Sequence, residues 1–224
     1  MIAQDAVQIV EVGPRDGLQN LMDYVETGKK ISLIRRLAES GLREIEAGSF
    51  VHPKAVPQFR DMSEVIKGVL DLEGVKLSAL VPNLKGAQNA IESGIRRLIF
   101  VVSVSRSHNL NNVRLTPEES LEELKKIMEL KSAHAGMEIQ LDLATTFGCP
   151  FEIRVKKEDV LHYVERAGVR GIKKVNLCDT VGFANPRQVE QITHACMEKF
   201  PEITFGAHFH NTRGLGLANA LAAY

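Results

Sequence analysis

The sequence has no tryptophan, and aromatic residues make up only 5% of its 224 residues. Its three cysteines, Cys149, Cys178 and Cys196, are too few and too scattered for a disulfide framework or a zinc cluster. The 28 basic and 28 acidic residues cancel, and no segment carries the basic excess typical of nucleic-acid-binding proteins. No segment approaches the ~18 apolar residues of a membrane-spanning helix, and no signal or transit peptide is visible. We therefore expect a cytoplasmic globular protein with neither nucleic-acid nor membrane partners.

Short β-rich segments alternate with longer helical ones along the whole chain. Strands are predicted at residues 7–12, 43–47, 76–81, 97–104, 138–144, 174–177 and 203–208. Helices are predicted at 27–40, 63–70, 84–93, 116–135, 157–167 and 186–199, with a last one beginning near Leu215. Strict alternation without a hairpin signal predicts a single domain, 1–224, built on a parallel sheet.

Both an open doubly wound sheet and a TIM barrel satisfy this alternation. In a barrel, the chemistry is built from the carboxyl ends of several strands. Ionisable residues follow or end four of the predicted strands: Arg15, Asp16, Glu46, Asp179, His208 and His210. An open dinucleotide-binding sheet would need a glycine-rich turn, and Gly214-Leu-Gly216 lacks the third glycine. The pattern favours an α/β fold of the TIM (β/α)8 type, with about seven βα units in this chain.

The segment His208-Phe209-His210 is the sharpest local signal. On a strand, side chains alternate between faces, so both imidazoles point to one side and Phe209 to the other. A shared metal would explain the pair, although two separately hydrogen-bonded histidines would give the same pattern. With Asp16 at the mouth of the same barrel, two imidazoles and one carboxylate would suit a divalent Mg, Mn or Fe ion.

The turn Gly13-Pro14-Arg15-Asp16-Gly17 places a cation beside an anion directly after the first predicted strand. Arg15 there offers a fixed fork of donors to an enolate or a carboxylate, whereas the alternative is a surface loop with a helix-capping aspartate. Glu46 and Asp179 each end a strand, and the pattern leaves open whether they face the barrel interior or its edge. A carboxylate beside a divalent cation can act as a general base or orient a ligand.

The cysteines and the other histidines give weaker signals. Cys196 lies on an amphipathic helix and is expected in the core, and Cys178 at a strand end is a possible cavity residue. Cys149 lies in a turn, where a nucleophilic role would need a neighbouring base. Among the remaining histidines, only His52 and His108 follow strand ends.

Taken together, these motifs resemble the 3-hydroxy-3-methylglutaryl-CoA lyase family. The stretch VEVGPRDGLQN at 10–20 is similar to the opening signature of these lyases, and SFVHPK at 49–54 is similar to a segment after their second strand. The match continues through FGCPFE at 147–152, DTVG at 179–182 and HFHNTRG at 208–214, and covers essentially the whole chain. A wider superfamily of metal-dependent lyases, synthases and carboxyl transferases shares the Arg-Asp-Gly, Asp-Thr and His-x-His elements.

The resemblance implies a metal-dependent retro-Claisen cleavage of 3-hydroxy-3-methylglutaryl-CoA, or a close analogue, to acetyl-CoA and acetoacetate. It assigns Mg or Mn to Asp16, His208 and His210, and catalysis to Arg15, Glu46 and Asp179. It assigns substrate binding to Arg15, Gln19, Ser49 and Thr180. The implied partner is an acyl-CoA substrate, and a homo-oligomer is possible.

The sequence departs from the family pattern at several positions that border the expected cavity. Leu21 stands where these lyases usually carry Glu, Cys178 where they carry Gly, and Asn211 where they carry Asp. The residues of an eighth βα unit, with an Asn ligand and a catalytic Cys loop, are also missing, so the chain resembles a truncated barrel. The alternatives are therefore a superfamily member acting on another 3-hydroxy acyl-CoA or catalysing a Claisen condensation, and a non-catalytic metal-binding fragment.

Overall fold

The computed structural model of the chain describes residues 7–224. Within them, six strands occur in one sheet in chain order. They are β1 Glu44–Ser49, β2 Lys76–Val81, β3 Arg97–Ser103, β4 Glu138–Ala144, β5 Lys174–Asp179 and β6 Thr204–Phe209. The resolved ladders between β1 and β2, β4 and β5, and β5 and β6 are parallel. The α/β class with a parallel sheet is confirmed.

The described residues form eight α-helices, none of which combines the length and apolar character needed to cross a membrane. They are α1 Thr27–Glu39, α2 Met62–Lys67, α3 Leu84–Ser93, α4 Arg106–Val113, α5 Pro117–Ala133, α6 Lys157–Val169, α7 Pro186–Lys199 and α8 Gly216–Ala223. The sequence pattern did not predict α4, because its residues are polar on nearly every face. Ser105 begins α4 by accepting a hydrogen bond from the His108 backbone N–H at 3.1 Å.

The first of the seven predicted strands, residues 7–12, is not a strand. The segment approaches β1 only at Glu11, whose N–H donates to Glu44 O at 3.0 Å and whose carbonyl accepts from Glu46 N at 2.8 Å. Immediately afterwards the chain enters a five-residue π-helical turn, Gly13–Gly17, which ends the pairing. Val7 and Ile9 remain exposed, so the alternating apolar pattern of this segment does not reflect burial among the described residues.

The chain divides into two compact units. The first comprises the described residues up to Val81 together with Lys85–Leu98, and its core includes Ile34, Ile45 and Ile66. The second comprises Pro82–Leu84 and Ile99–Tyr224. Its core is centred on β4 and β5, where Leu141 pairs with Val175 and Leu143 with Leu177, all fully buried.

Candidate active site

In the first unit, the turn Gly13–Gly17 presents the predicted catalytic arginine. The backbone N–H groups of Arg15 and Asp16 both donate to Val12 O, at 3.0 and 2.7 Å. The Glu11 carboxylate accepts from Gly13 N at 2.6 Å and lies so close that a Cβ at position 13 would be 2.8 Å from its Oε1. A larger residue at position 13 would therefore displace the Glu11 carboxylate from this contact.

Arg15 joins two carboxylates in a buried cluster. Its Nε donates to Glu46 Oε1 at 2.7 Å and its Nη2 to Glu46 Oε2 at 3.3 Å, which makes a two-pronged ion pair. Its Nη1 donates to Asp16 Oδ1 at 2.9 Å. Arg15 is 8% exposed and Glu46 is 2% exposed, so Glu46 is an interior residue rather than an edge charge. The first unit thus brings Arg15, Asp16 and Glu46 together.

The two predicted substrate-binding residues of this unit occupy different environments. Ser49, at the end of β1, is buried, and its hydroxyl donates to Leu80 O at 3.3 Å. Gln19 is exposed and lines a cavity of about 340 Å³ between the segments 19–24 and 55–58. Among the residues that the structure describes, none that lines this cavity is charged, and its walls are amide, phenol and apolar side chains.

In the second unit, Asp179 ends β5 and is 1% exposed. Its Oδ1 accepts hydrogen bonds from Phe183 N at 2.8 Å and Ala184 N at 3.2 Å. Its Oδ2 is buried and has no hydrogen-bond partner among the described residues. Burial raises the pKa of Asp179 above its ordinary value, although the backbone donors and nearby His210 oppose the rise.

His208 lies on β6 and His210 follows it, and their rings stack with centroids 5.1 Å apart and planes at 21°. Phe209 points the other way, against Phe147 at 5.5 Å, as strand alternation predicts. His208 is in register with Cys178, and Phe209 with Asp179. The second unit therefore brings the histidine pair to the same end of the sheet as the buried carboxylate.

Thr180 supports the backbone at the end of β4. Thr145 has φ of 58°, a left-handed conformation that is unusual for a β-branched residue. Its N–H donates to Thr180 Oγ1 at 2.9 Å, and its own Oγ1 accepts from Ser105 N at 3.1 Å. The hydroxyl of the predicted substrate-binding residue Thr180 thus already accepts a backbone hydrogen bond.

All three cysteines are buried and unbridged. The Cys149 thiol donates to Ser105 Oγ at 2.9 Å, and His108 is instead hydrogen-bonded to Ser103 Oγ at 2.8 Å. The neighbour of Cys149 is therefore a hydroxyl and not a base. Burial in α7 raises the pKa of Cys196 to about 12, as expected of a core thiol.

Sequence reasoning missed several buried charges, namely Glu44, Asp142 and Lys30, the last of which lies on α1. Its side chain is 2% exposed and its Nζ lies 2.7 Å from Asp61 Oδ1. The signal was available, since Lys30 shares the buried face of the helix with Ile34 and Ala38 at four-residue spacing.

Comparisons with known proteins identify the family of the chain. A sequence model of the HMGL-like family matches residues 6–224. The chain belongs to the HMGL-like family. Hydroxymethylglutaryl-CoA lyase YngG of Bacillus subtilis is 43% identical over 217 residues, covering 97% of this chain and 72% of that enzyme. The mitochondrial lyases of Arabidopsis thaliana and Bos taurus are 39% and 36% identical, and this chain spans 46% and 66% of them.

Solved structures agree with this family assignment. The B. subtilis HMG-CoA lyase superposes with a TM-score of 0.93 over 97% of this chain and 72% of that one. An Acinetobacter baumannii HMG-CoA lyase in complex with coenzyme A and 3-methylmalate is 42% identical, with a TM-score of 0.94 over 100% of this chain and 73% of that one. These matches confirm the predicted α/β fold of the TIM-barrel type, and the curated members of the HMGL-like family found here are enzymes.

Proposed function

We propose that this HMGL-like chain carries the site of a carbon–carbon lyase that cleaves 3-hydroxy-3-methylglutaryl-CoA into acetyl-CoA and acetoacetate. The observation that carries the proposal is the two-pronged Arg15–Glu46 pair with Asp16 at its side. The 43% identity to the B. subtilis lyase supports the reaction, and the coenzyme A complex of the A. baumannii lyase supports an acyl-CoA substrate.

Asp16, His208 and His210 are the proposed ligands of a divalent cation, Mg or Mn. The donor set of one carboxylate and two imidazoles fits such an ion, and it leaves coordination positions for a substrate. The stacked imidazoles of His208 and His210 support a cationic group near the end of β6, as does the buried Asp179 Oδ2, which has no hydrogen-bond partner among the described residues. When bound, such an ion supplies Lewis-acid polarisation of substrate oxygens.

Arg15 is proposed to stabilise the enolate of acetyl-CoA. That negative charge develops only as the bond between C2 and C3 of the acyl chain breaks, so a guanidinium fixed in advance favours the transition state. Glu46 holds the guanidinium plane through two hydrogen bonds. Glu46 is therefore proposed to act by orienting Arg15 as well as by balancing its charge.

Asp179 is proposed to accept the proton of the substrate's C3 hydroxyl. Burial raises its pKa above the ordinary value of an aspartate, which makes its carboxylate a stronger base than that of an exposed aspartate. The C3–O electrons then form the ketone of acetoacetate, and the C2–C3 electron pair passes to C2 of the acetyl-CoA enolate. Return of the proton to C2 completes the reaction. Gln19, Ser49 and Thr180 are proposed to contact the substrate.

A second candidate is the same chemistry on a different 3-hydroxy acyl-CoA. Leu21 departs from the lyase pattern and lines the uncharged cavity beside Gln19, which supports an altered acyl preference. The A. baumannii relative is in complex with 3-methylmalate, which supports the idea that members of the family bind more than one small acid.

The test is acetoacetate release from 3-hydroxy-3-methylglutaryl-CoA by the Mg- or Mn-loaded chain. We expect Arg15→Lys to lower kcat by about 100-fold or more, since lysine cannot form the same fork. Arg36→Lys, on the exposed side of α1, is the matched control and should retain wild-type activity. A metal-loaded chain that cleaves neither this thioester nor related 3-hydroxy acyl-CoAs would overturn the proposal in favour of a non-catalytic fragment.

A further inference from the structure

The first unit buries a lysine beneath the loop that precedes α1. Lys30 is 1% exposed, and its Nζ donates to Asp61 Oδ1 at 2.7 Å and to the backbone carbonyl of Gln58. Asp61 Oδ2 also accepts from Tyr24 Oη at 2.8 Å and Thr27 Oγ1 at 2.7 Å. The ammonium lies 4.5 Å from the centroid of the Tyr24 ring. Because removing two charges from water is costly, such a pair persists only with this degree of hydrogen bonding.

Gln58, whose carbonyl accepts a hydrogen bond from Lys30, in turn holds the segment 21–25. Gln58 is 4% exposed, and its side-chain amide serves three backbone groups of the segment 21–25. Its Oε1 accepts from Val25 N at 3.0 Å, and its Nε2 donates to Leu21 O at 3.3 Å and to Asp23 O. This segment lies outside every helix and strand, so a single side chain replaces the partners that a regular element would provide.

The fixed segment forms one wall of the 340 Å³ cavity. Leu21, Met22 and Tyr24 of this segment line the cavity next to Gln19, together with Val56 and Gln58. Met22 is 98% exposed, so packing of its own side chain does not hold the loop in place. The shape of the cavity beside Gln19 therefore depends on Gln58 and on the ion pair that anchors it.

We propose that Gln58 is a positioning residue for substrate binding, held in place by the buried Lys30–Asp61 pair. The inference rests on the proposed function, because it takes Gln19 and its cavity as part of the acyl-CoA site. Gln58 acts on affinity rather than on chemistry, since its amide contacts backbone and not the Arg15 cluster.

Gln58→Met tests this, because methionine has a similar size but no hydrogen-bonding amide. We expect KM to rise about tenfold while kcat stays within about twofold, the signature of lost binding that is equal in the ground and transition states. The Val25 amide should also exchange its hydrogen faster than in the wild-type protein, since it loses its acceptor. Gln88→Met, the same change on α3 at a glutamine outside the residues that line the cavity, should alter neither quantity.

Unchanged KM and unchanged Val25 exchange in Gln58→Met would overturn the proposal, as would a fall in kcat at constant KM. If this variant fails to fold, Gln58→Glu keeps the acceptor for Val25 but loses both donated bonds, and its KM answers the same question. Hydrogen exchange and calorimetric titration with coenzyme A need no turnover. An inactive wild-type chain would therefore refute the proposed function without deciding the role of Gln58.

Discussion

The two clusters of ionisable residues differ in how their charges are compensated. In the first unit, Arg15 is paired with Glu46 and Asp16, and Lys30 is paired with Asp61. In the second unit, Asp179 buries an oxygen without a hydrogen-bond partner in the described residues, beside two stacked imidazoles. In the first arrangement, the ion pairs already form in the folded chain and fix the Arg15 guanidinium before any substrate binds. In the second, one buried carboxylate oxygen lacks a hydrogen bond among the described residues, an exception of the kind that often marks a functional site.

Among these variants, Glu46→Ala in the first unit is expected to lower the free energy of unfolding most. Glu46→Ala removes the two-pronged partner of the buried Arg15, and we expect a loss of about 3 kcal/mol in the free energy of unfolding. Urea denaturation measures it, with the exposed Glu39→Ala as control. A loss no larger than that of the control would mean that the Arg15–Glu46 pair does not stabilise this unit.

Asp61→Asn should give the next largest effect and should depend on pH. Burial would raise the pKa of Asp61, but hydrogen bonds from Lys30, Thr27 and Tyr24 hold it below its ordinary value. A lowered carboxyl pKa contributes stability above the unfolded value of about 3.9, and this stability is lost as pH falls through the folded value. We therefore expect a deficit of about 2 kcal/mol at pH 7 that shrinks below about pH 4. A deficit that is constant from pH 7 to pH 3 in urea titrations would contradict this.

Thr180→Val tests a backbone hydrogen bond of the second unit that does not involve Asp179. The change leaves the buried N–H of Thr145 without its acceptor, so we expect a loss of about 1.5 kcal/mol in thermal or urea unfolding. Thr180→Ser keeps the hydroxyl and is the control. If Thr180→Val is as stable as the serine variant, the hydroxyl does not support the strained turn at Thr145.

Asp179→Asn is expected to change the free energy of unfolding least, and it tests the difference between the two clusters of ionisable residues. The amide oxygen can keep the bonds from Phe183 N and Ala184 N while the charge that burial disfavours is removed. We expect the unfolding free energy at pH 7 to change by less than about 1 kcal/mol, in contrast to Glu46→Ala. A loss comparable to that of Glu46→Ala would mean that the Asp179 carboxylate stabilises the fold as much as the Arg15–Glu46 pair does.

The sequence predicted most of the regular elements because their apolar periods are clear. The bounds of α3, β2, β4 and α7 coincide with prediction. It failed at residues 7–12, where the alternating pattern gives one bridge and the chain then turns at Gly13–Gly17. Alternating apolar and polar residues indicate a preference for a β-strand. A strand also needs a neighbouring strand that pairs with it along its whole length.

For the site, residue types and strand ends predicted the candidate residues, and the structure adds their contacts. The alternation in His208-Phe209-His210 predicted that the imidazoles face one side, which the stacked rings confirm. The sequence could not reveal that Glu46 pairs with Arg15 or that Thr180 is hydrogen-bonded to Thr145, because both contacts join residues more than 30 positions apart. The support of the segment 21–25 by Gln58 was invisible for the same reason.

The affinity for Mn²⁺, read by calorimetric titration of the wild-type chain, Asp16→Asn and His210→Asn, tests whether these residues bind a divalent cation. We expect one site in the wild-type protein and at least about tenfold weaker binding in Asp16→Asn and in His210→Asn. Asp23→Asn, an equally conservative change at an exposed position nearby in sequence, should bind as the wild type does. Equal Mn²⁺ affinity in Asp16→Asn, His210→Asn and the wild-type protein would contradict the proposed metal site.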